Sequence, residues 1–472
     1  MITRKNSLIL YLILFSLGFL IYYTSHIQPA VETTYIVFTI FIGLLLFSYK
    51  FATYFFIALL IFSDEFSRSY LEPLDSGVGV VSIFTAKGVV GSVFFDMSII
   101  LFGVFILLEW SKLTTFKLKT RKEILFIIYA LLVGGVWGGV NLLSEPRIYI
   151  SDFTYFFTIV MGYLIVRKVT NDELCQVKSF FHFFLALLVM KLIIVILDYI
   201  FFATSSGLIT IKAGSDAYLI CILPLLVFVY SALSHKKEVS LNLFFIFIVF
   251  LVALYLIVTA SRGRVLVFLL SMISVMYLNR SYKLILYFPI VGGLLFLLVG
   301  QLKADFLGYF IWKMNTFLAN SEGGSSSLVR LYSFYNILYE QIHSIYGVFI
   351  GQGFGGYFSS AHYPFPITLD EYAFPLEWIE SDRFYKPHTT VLFLFLKIGL
   401  VPTLLVYSYL SMKVFYKRNY SSLPLWRISA IGIYMMLPFL MLVNFTSKLQ
   451  FFTGIFLGLY YGIQQRLENE KK

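Results

Sequence analysis

Three places in the chain combine residue types that could act on an anionic substrate. In VTASRGRVLVF, Ser261, Arg262, Gly263 and Arg264 form a polar turn between two apolar runs. In SSSLVRLYSFYNILYEQIHS, Arg330 follows a serine triplet, Ser325–Ser327. In PHTTVLFLFLKIGLVP, His388 stands beside Thr389 and Thr390 at the mouth of an apolar run. A planar guanidinium grips a phosphate or pyrophosphate bidentately, which an ammonium does not. An imidazole with an ordinary pKa of about 6.5 can accept or return a proton near neutrality. Each residue also has a plainer reading. Arg262 and Arg264 could snorkel to lipid headgroups, Arg330 could pair with Glu322, and His388 could bond a backbone carbonyl at an interface.

The elements that must position these residues are apolar and numerous. Of 472 residues, 59% are hydrophobic and only 13% charged, about half the charged share of a typical soluble domain. Apolar runs long enough for a membrane recur throughout, and we read about fourteen. They lie near 8–23, 34–48, 51–63, 97–109, 124–142, 153–166, 180–202, 217–233, 241–259, 265–278, 284–299, 390–412, 428–443 and 451–463. The second and third are short enough to be one re-entrant hairpin, so 12–14 spans are expected. Arg4 and Lys5 precede the first run as they would in a secretory signal, but no small-residue cleavage site follows, so the run is read as an anchor.

Lys and Arg resist translocation and collect in cytoplasmic loops. With the N-terminus inside, the connections 111–122, 167–178, 235–240, 279–283 and 413–427 and the tail are all basic. The alternate connections 24–33, 64–96, 144–152, 203–216 and 444–448 carry at most two basic residues each; the exceptions to this sparseness are the arginine turn at 261–264, with two arginines in four residues, and the long connection 301–387. Both exceptions fall on the outer side. The formal charge of +11 is therefore a consequence of topology, spread over many short loops, and nucleic acid is not expected as a partner. Cys175 and Cys221 lie at different levels with no metal-ligand or disulfide spacing.

The outer connection has its own organisation. An aromatic stretch near 304–320 and a flexible SEGGSSS precede a helix with Leu331, Phe334 or Tyr335, Leu338 and Ile342 as its apolar stripe. Ser325–Ser327 are available as caps, which would put Arg330 in the first turn, where the macrodipole disfavours a cation and a bound phosphate would compensate it. Next comes GVFIGQGFGGYFSS, whose glycines lack the strand and acidic residue of a dinucleotide fingerprint and read as a turn needing close backbone approach. The remainder, 361–387, is rich in aromatics, prolines and acids, as a lid over sugar rings or a surface packed on the membrane would be.

Taken together, Ser261-Arg262-Gly263, Arg330, Gly351-Gln352-Gly353-Phe354-Gly355, and His388 through Gly399-Leu400 resemble the O-antigen ligase and O-antigen polymerase family of bacterial envelope glycosyltransferases. The resemblance covers about 241–401, and the N-terminal half matches only as a run of spans. Two positions depart: Thr389 where the family usually has Asn, and Pro402 where it has Gly.

The resemblance implies an all-α, polytopic transmembrane protein with a long outer loop carrying short helices. Its parts would be spans over 1–300, the loop over 301–388, C-terminal spans over 389–464 and a cytoplasmic tail over 465–472. It implies residence in the bacterial cytoplasmic membrane with the active site on the outer face. The donor would be a polyprenyl-pyrophosphate-linked glycan and the acceptor another glycan or lipid-linked molecule, with membrane lipids and other polysaccharide-assembly proteins as company. Arg262 and Arg330 would hold the pyrophosphate, with Arg264 as this chain's own addition, and His388 would assist the acceptor hydroxyl. No metal or other cofactor is expected, since Asp370 and Glu371 are adjacent and would point apart. The number of spans favours a polymerase of lipid-linked repeat units, with a ligase as the alternative. A flippase is the reading from another class, prompted by Lys191, Asp198 and Lys397 within or near apolar runs.

Overall fold

The computed structural model describes residues 49–62, 87–90, 93–96, 122–170, 174–202, 325–366, 369, 373–415, 437–442 and 447–469, with a few single positions besides. The apolar runs at 8–23, 34–48, 97–109 and 217–233, nearly all of those between 241 and 299, and most of 428–443 lie outside these residues. So do Asp370, Glu371 and Glu322.

The described chain is mostly helical. In order it forms α1 (Tyr49–Phe62), β1 (Lys87–Val90), β2 (Val93–Asp96), α2 (Lys122–Trp137), α3 (Gly139–Ser144), α4 (Pro146–Thr170) and α5 (Leu174–Phe202). There follow α6 (Ser325–Ile342), α7 (Ile345–Ile350), α8 (Leu376–Glu380), α9 (Thr390–Ile398), α10 (Leu400–Phe415), α11 (Leu437–Leu440) and α12 (Ser447–Asn469). Beside the helices, β1 and β2 pair as one antiparallel hairpin, Lys87 opposite Asp96, in a stretch read above as plain connection.

Helices form residues 51–62, 124–137, 139–142, 153–166, 180–202, 390–398, 400–412 and 451–463 of the apolar runs. Among the described residues, one stretch is long and apolar enough to cross a membrane: Pro146–Arg167, 22 residues. Shorter apolar stretches are Leu125–Trp137, Ser179–Ile194 and Leu400–Met412.

The chain divides into two units, with the boundary inside α4 after Val160. In one unit, α5 packs against α1 and α12, with Phe180 and Phe184 fully buried and Phe184 touching Phe452 and Phe456. Lys191 is buried here, and its Nζ donates to the carbonyl of Phe62 at 3.2 Å. A cation at a helix C-terminal carbonyl satisfies an orphan acceptor, so this intramembrane-looking lysine caps α1.

The other unit holds α2, α3, the start of α4 and α6 to α11, and its centre is α9. One apolar cluster sets Val329 and Ile337 of α6 against Phe358, Phe374 and Phe384 of the loop and Leu392, Phe395 and Leu396 of α9. A second packs Ala130, Phe156 and Phe354 against Phe393, Leu394 and Ile398 on another side of α9.

The stripe expected on α6 holds only in part: Phe334 packs against the first cluster, but other members do not. Leu331, Tyr335 and Ile342 are exposed, while Val329, Ser333, Asn336, Ile337 and Gln341 are buried. The reason lies in the neighbours, an irregular loop and α9, whose backbone carbonyls and N–H groups meet this face. Asn336 donates to the Tyr363 carbonyl at 2.8 Å and accepts from the Tyr363 N–H at 2.9 Å, and Gln341 donates to the Phe395 carbonyl. Amides serve that face better than leucines.

Candidate functional site

The stretch read as one apolar run at 390–412 is two helices broken at Gly399, whose φ of 96° lies in the region that favours glycine. The break explains Pro402. It falls in the first turn of α10, where the missing N–H has no intrahelical bond to lose. Thr389, the other departure, is the N-cap of α9, its hydroxyl accepting from Leu392 N–H at 3.3 Å. Threonine and asparagine both make this cap, so the change of residue type preserves the local structure.

The glycine-rich stretch is a turn of close backbone approach, folded over the C-terminal end of α9. Gln352 and Gly353 donate their N–H groups to the carbonyls of Leu396 and Lys397 at 2.7 and 3.1 Å. Gly353, at φ 75°, lies so near α2 that a Cβ there would come within 2.6 Å of Gly138. Phe354 then inserts its ring beside Gly134 and donates its N–H to the Gly134 carbonyl at 2.8 Å.

Beneath this turn is an ion pair that periodicity does not foretell. Lys397 Nζ lies 2.6 Å from Asp152 Oδ2, and both side chains are fully buried. The same ammonium donates to the Gly356 carbonyl at 2.6 Å, and Asp152 Oδ2 accepts from Gly355 N–H at 2.9 Å. Residues 144–152, read above as an outer connection, are in fact the end of α3 and the first turns of α4, which opens on Pro146 at the position where proline is favoured. Asp152 therefore sits inside a helix. One available signal was a pair of opposite charges next to apolar runs, which calls for a partner.

His388 precedes the cap at the other end of α9. At about 1.5 Å per residue, roughly 13 Å of helix separates it from the glycine turn. Its ring stacks on Phe374, with centroids 4.8 Å apart. Although the residue is only half-buried by accessible surface, its crowded surroundings lower its pKa to about 4, and the charge of Arg330 adds to the effect. His388 is accordingly neutral at physiological pH.

Arg330 is the sixth residue of α6, in its second turn, because Ser325–Ser327 are themselves helical. The macrodipole argument for an anion at Arg330 is weakened by one turn. What the fold does bring together is Arg330 and His388, since α6 packs on α9 and the guanidinium's charge reaches the imidazole. Arg262 and Arg264 lie outside the described residues.

Near this pair Lys386 extends to Ser151 Oγ at 2.9 Å and to the Tyr155 hydroxyl at 2.8 Å, with its ammonium 4.5 Å from the Tyr155 ring centre. Tyr385 donates to Glu145 Oε1 at 2.9 Å, and burial together with that carboxylate pushes its pKa up to about 12. Further along the loop, burial acts to raise the pKa of Asp382, but hydrogen bonds from Ser359 and Ser360 hold it below the usual range. Glu340 goes the other way: burial, aided by Asp382, raises it to about 7 despite the bond it accepts from Ser359 N–H at 2.9 Å. Among the described residues no three His, Cys, Asp or Glu side chains converge as a metal would require.

Comparison with known protein families, with curated proteins and with solved structures finds no match for this chain in any of the three.

Proposed function

We propose that this chain is a polytopic membrane glycosyltransferase of the O-antigen polymerase and ligase kind, joining polyprenyl-pyrophosphate-linked repeat units on the outer face of the bacterial cytoplasmic membrane. A membrane setting is supported by an inverted pattern of burial. Val136, Leu143 and Leu405 are 78%, 90% and 66% exposed, while Lys397 and Asp152 are fully buried. Water would penalise that arrangement and hydrocarbon would favour it.

The observation that carries the chemical reading is the packing of α6 on α9, which brings the charge of Arg330 to bear on His388 at the head of α9. In the reaction an acceptor hydroxyl attacks the anomeric carbon of the donor sugar, forming the new glycosidic C–O bond. The bond from that carbon to the pyrophosphate oxygen breaks, and its electron pair leaves with the polyprenyl pyrophosphate. The hydroxyl proton passes to the imidazole of His388. Arg330, with Arg262 and Arg264 as further candidates, stabilises the departing charge by charge-assisted hydrogen bonds. Donor binding also offsets the positive charge beside His388, so the histidine becomes a stronger base once the substrate is in place. Polymerisation is preferred to ligation on the number of apolar runs. The flippase reading loses support at Lys191 and Lys397, which cap a helix and pin a turn respectively.

The test separates binding from turnover. Arg330→Lys keeps the charge but loses the fork, so binding of the lipid-linked donor and transfer should both fall. His388→Ala should lower transfer by about 10²- to 10⁴-fold while donor binding survives. Normal transfer by both variants, at normal membrane abundance, would remove the basis of the proposal.

A further inference from the structure

Two different groups act on His388. The charge of Arg330 on α6 reaches it, and the Phe374 ring stacked on it begins an aromatic row. Phe374 lies 6.5 Å from Trp378, Trp378 lies 5.3 Å from Tyr385, and Tyr385 lies 5.6 Å from Tyr357, measured between ring centres. Phe374 and Tyr385 are buried, whereas Tyr357 is exposed and Trp378 half-buried. The row therefore runs from the histidine out to solvent.

Its outer end is bordered by polar groups, one of them over a ring face. The Arg383 guanidinium lies 5.1 Å from the Tyr357 ring centre and its Nη1 is 3.9 Å from Glu145 Oε1, the oxygen that also accepts from Tyr385. The Arg383 and Glu145 side chains are 48% and 34% exposed, so a ligand can reach both. Apolar faces flanked by hydrogen-bonding edges are what a pyranose requires, since its axial C–H face is apolar and its rim carries hydroxyls. A lipid-facing aromatic belt has no comparable need of an acid–arginine couple.

We propose that Trp378, Tyr357, Arg383 and Glu145 form an oligosaccharide subsite that leads the acceptor glycan along the aromatic row to His388. The role as acceptor subsite rests on the glycosyltransferase reading. The binding itself can be tested apart from it. Stacking on Trp378 and Tyr357 supplies the platform, and Arg383 with Glu145 reads the hydroxyls. Phe374 fixes the inner end of the row against the imidazole.

The experiment is saturation-transfer NMR on the purified full chain, with the oligosaccharide released by mild acid from the surface glycan of the source cells as the probe. The wild-type chain should give a signal from sugar ring protons, and Tyr357→Ala and Arg383→Gln should each weaken binding about tenfold or more, equivalent to about 1.4 kcal/mol. Both side chains are solvent-exposed, and an unchanged melting midpoint verifies that the variants are folded. No binding by the wild-type chain, or equal binding by both variants, overturns the subsite. Binding that is lost in the variants, from a chain that transfers no sugar, supports the subsite and sinks the glycosyltransferase reading instead.

Discussion

Replacing Asp152 by Asn probes the packing of the site with little change in shape. The carboxylate faces Lys397 at 2.6 Å with both side chains inaccessible to solvent, so the variant leaves a buried ammonium without its counter-charge. Removing one partner of such a pair typically costs 3–5 kcal/mol, because the surviving charge cannot be rehydrated in place. At roughly 2–4 °C per kcal/mol for a unit of this size, the apparent melting midpoint should fall by about 6–20 °C. Lys397→Met should cost a comparable amount, since it strands the carboxylate. The double variant Asp152→Asn with Lys397→Met removes both charges and should regain much of the loss, because well-packed neutral replacements of buried pairs are often tolerated. The assay is a thermal melt of the purified protein in detergent, run as a double-mutant cycle at one scan rate. Single-variant losses under about 1 kcal/mol that simply add in the double would refute the buried pair.

Three further outcomes follow from the same geometry. With His388 held near pKa 4, the acidic limb of kcat/KM for transfer should lie near pH 4, well below the ordinary histidine value of about 6.5; a limb at 6.5 would show that the imidazole is neither buried nor beside a cation. Because the folded-state pKa of Glu340 is raised to about 7, ionising it opposes folding, so its contribution to stability declines as pH rises from about 4.5 through 7. Glu340→Gln should flatten that decline, and stability curves of wild type and variant that run parallel across this range would contradict it. Cysteines engineered in 321–327 should react with an impermeant reagent from outside, and those in 114–120 only after the membrane is opened; the reverse pattern would place Arg330 and His388 in the cytoplasm.

Much of this unit was legible in local sequence signals, and the rest depends on partners distant in the chain. The helix after SEGGSSS announced itself by period, but its orientation did not. The face of α6 carrying Asn336 and Gln341 is buried because it meets the backbone of Tyr363 and Phe395, and no pattern internal to the helix records that. Gly351, Gly353 and Gly355 read correctly as a turn of close approach, while what they approach, Gly138 and Gly399, could come only from the fold. Arg330 and His388 were paired through the order of motifs; the packing of α6 on α9 lets the charge of Arg330 reach the imidazole. Asp152 was missed because a proline-led helix start looks like a loop when read beside Ser144 and Glu145. The hairpin at 87–96 was missed because its strands are four residues each, too short to establish a period.

The central claim is that this chain moves sugar from a lipid pyrophosphate to an acceptor, and reconstitution tests it most directly. Purified protein in liposomes containing the lipid-linked repeat unit, with excess EDTA present, should convert single units into a ladder of longer lipid-linked glycans. The ladder should shorten or vanish with Arg330→Lys and with His388→Ala. Single units that are only relocated across the bilayer, with no new glycosidic bond, would contradict the account and point to a flippase.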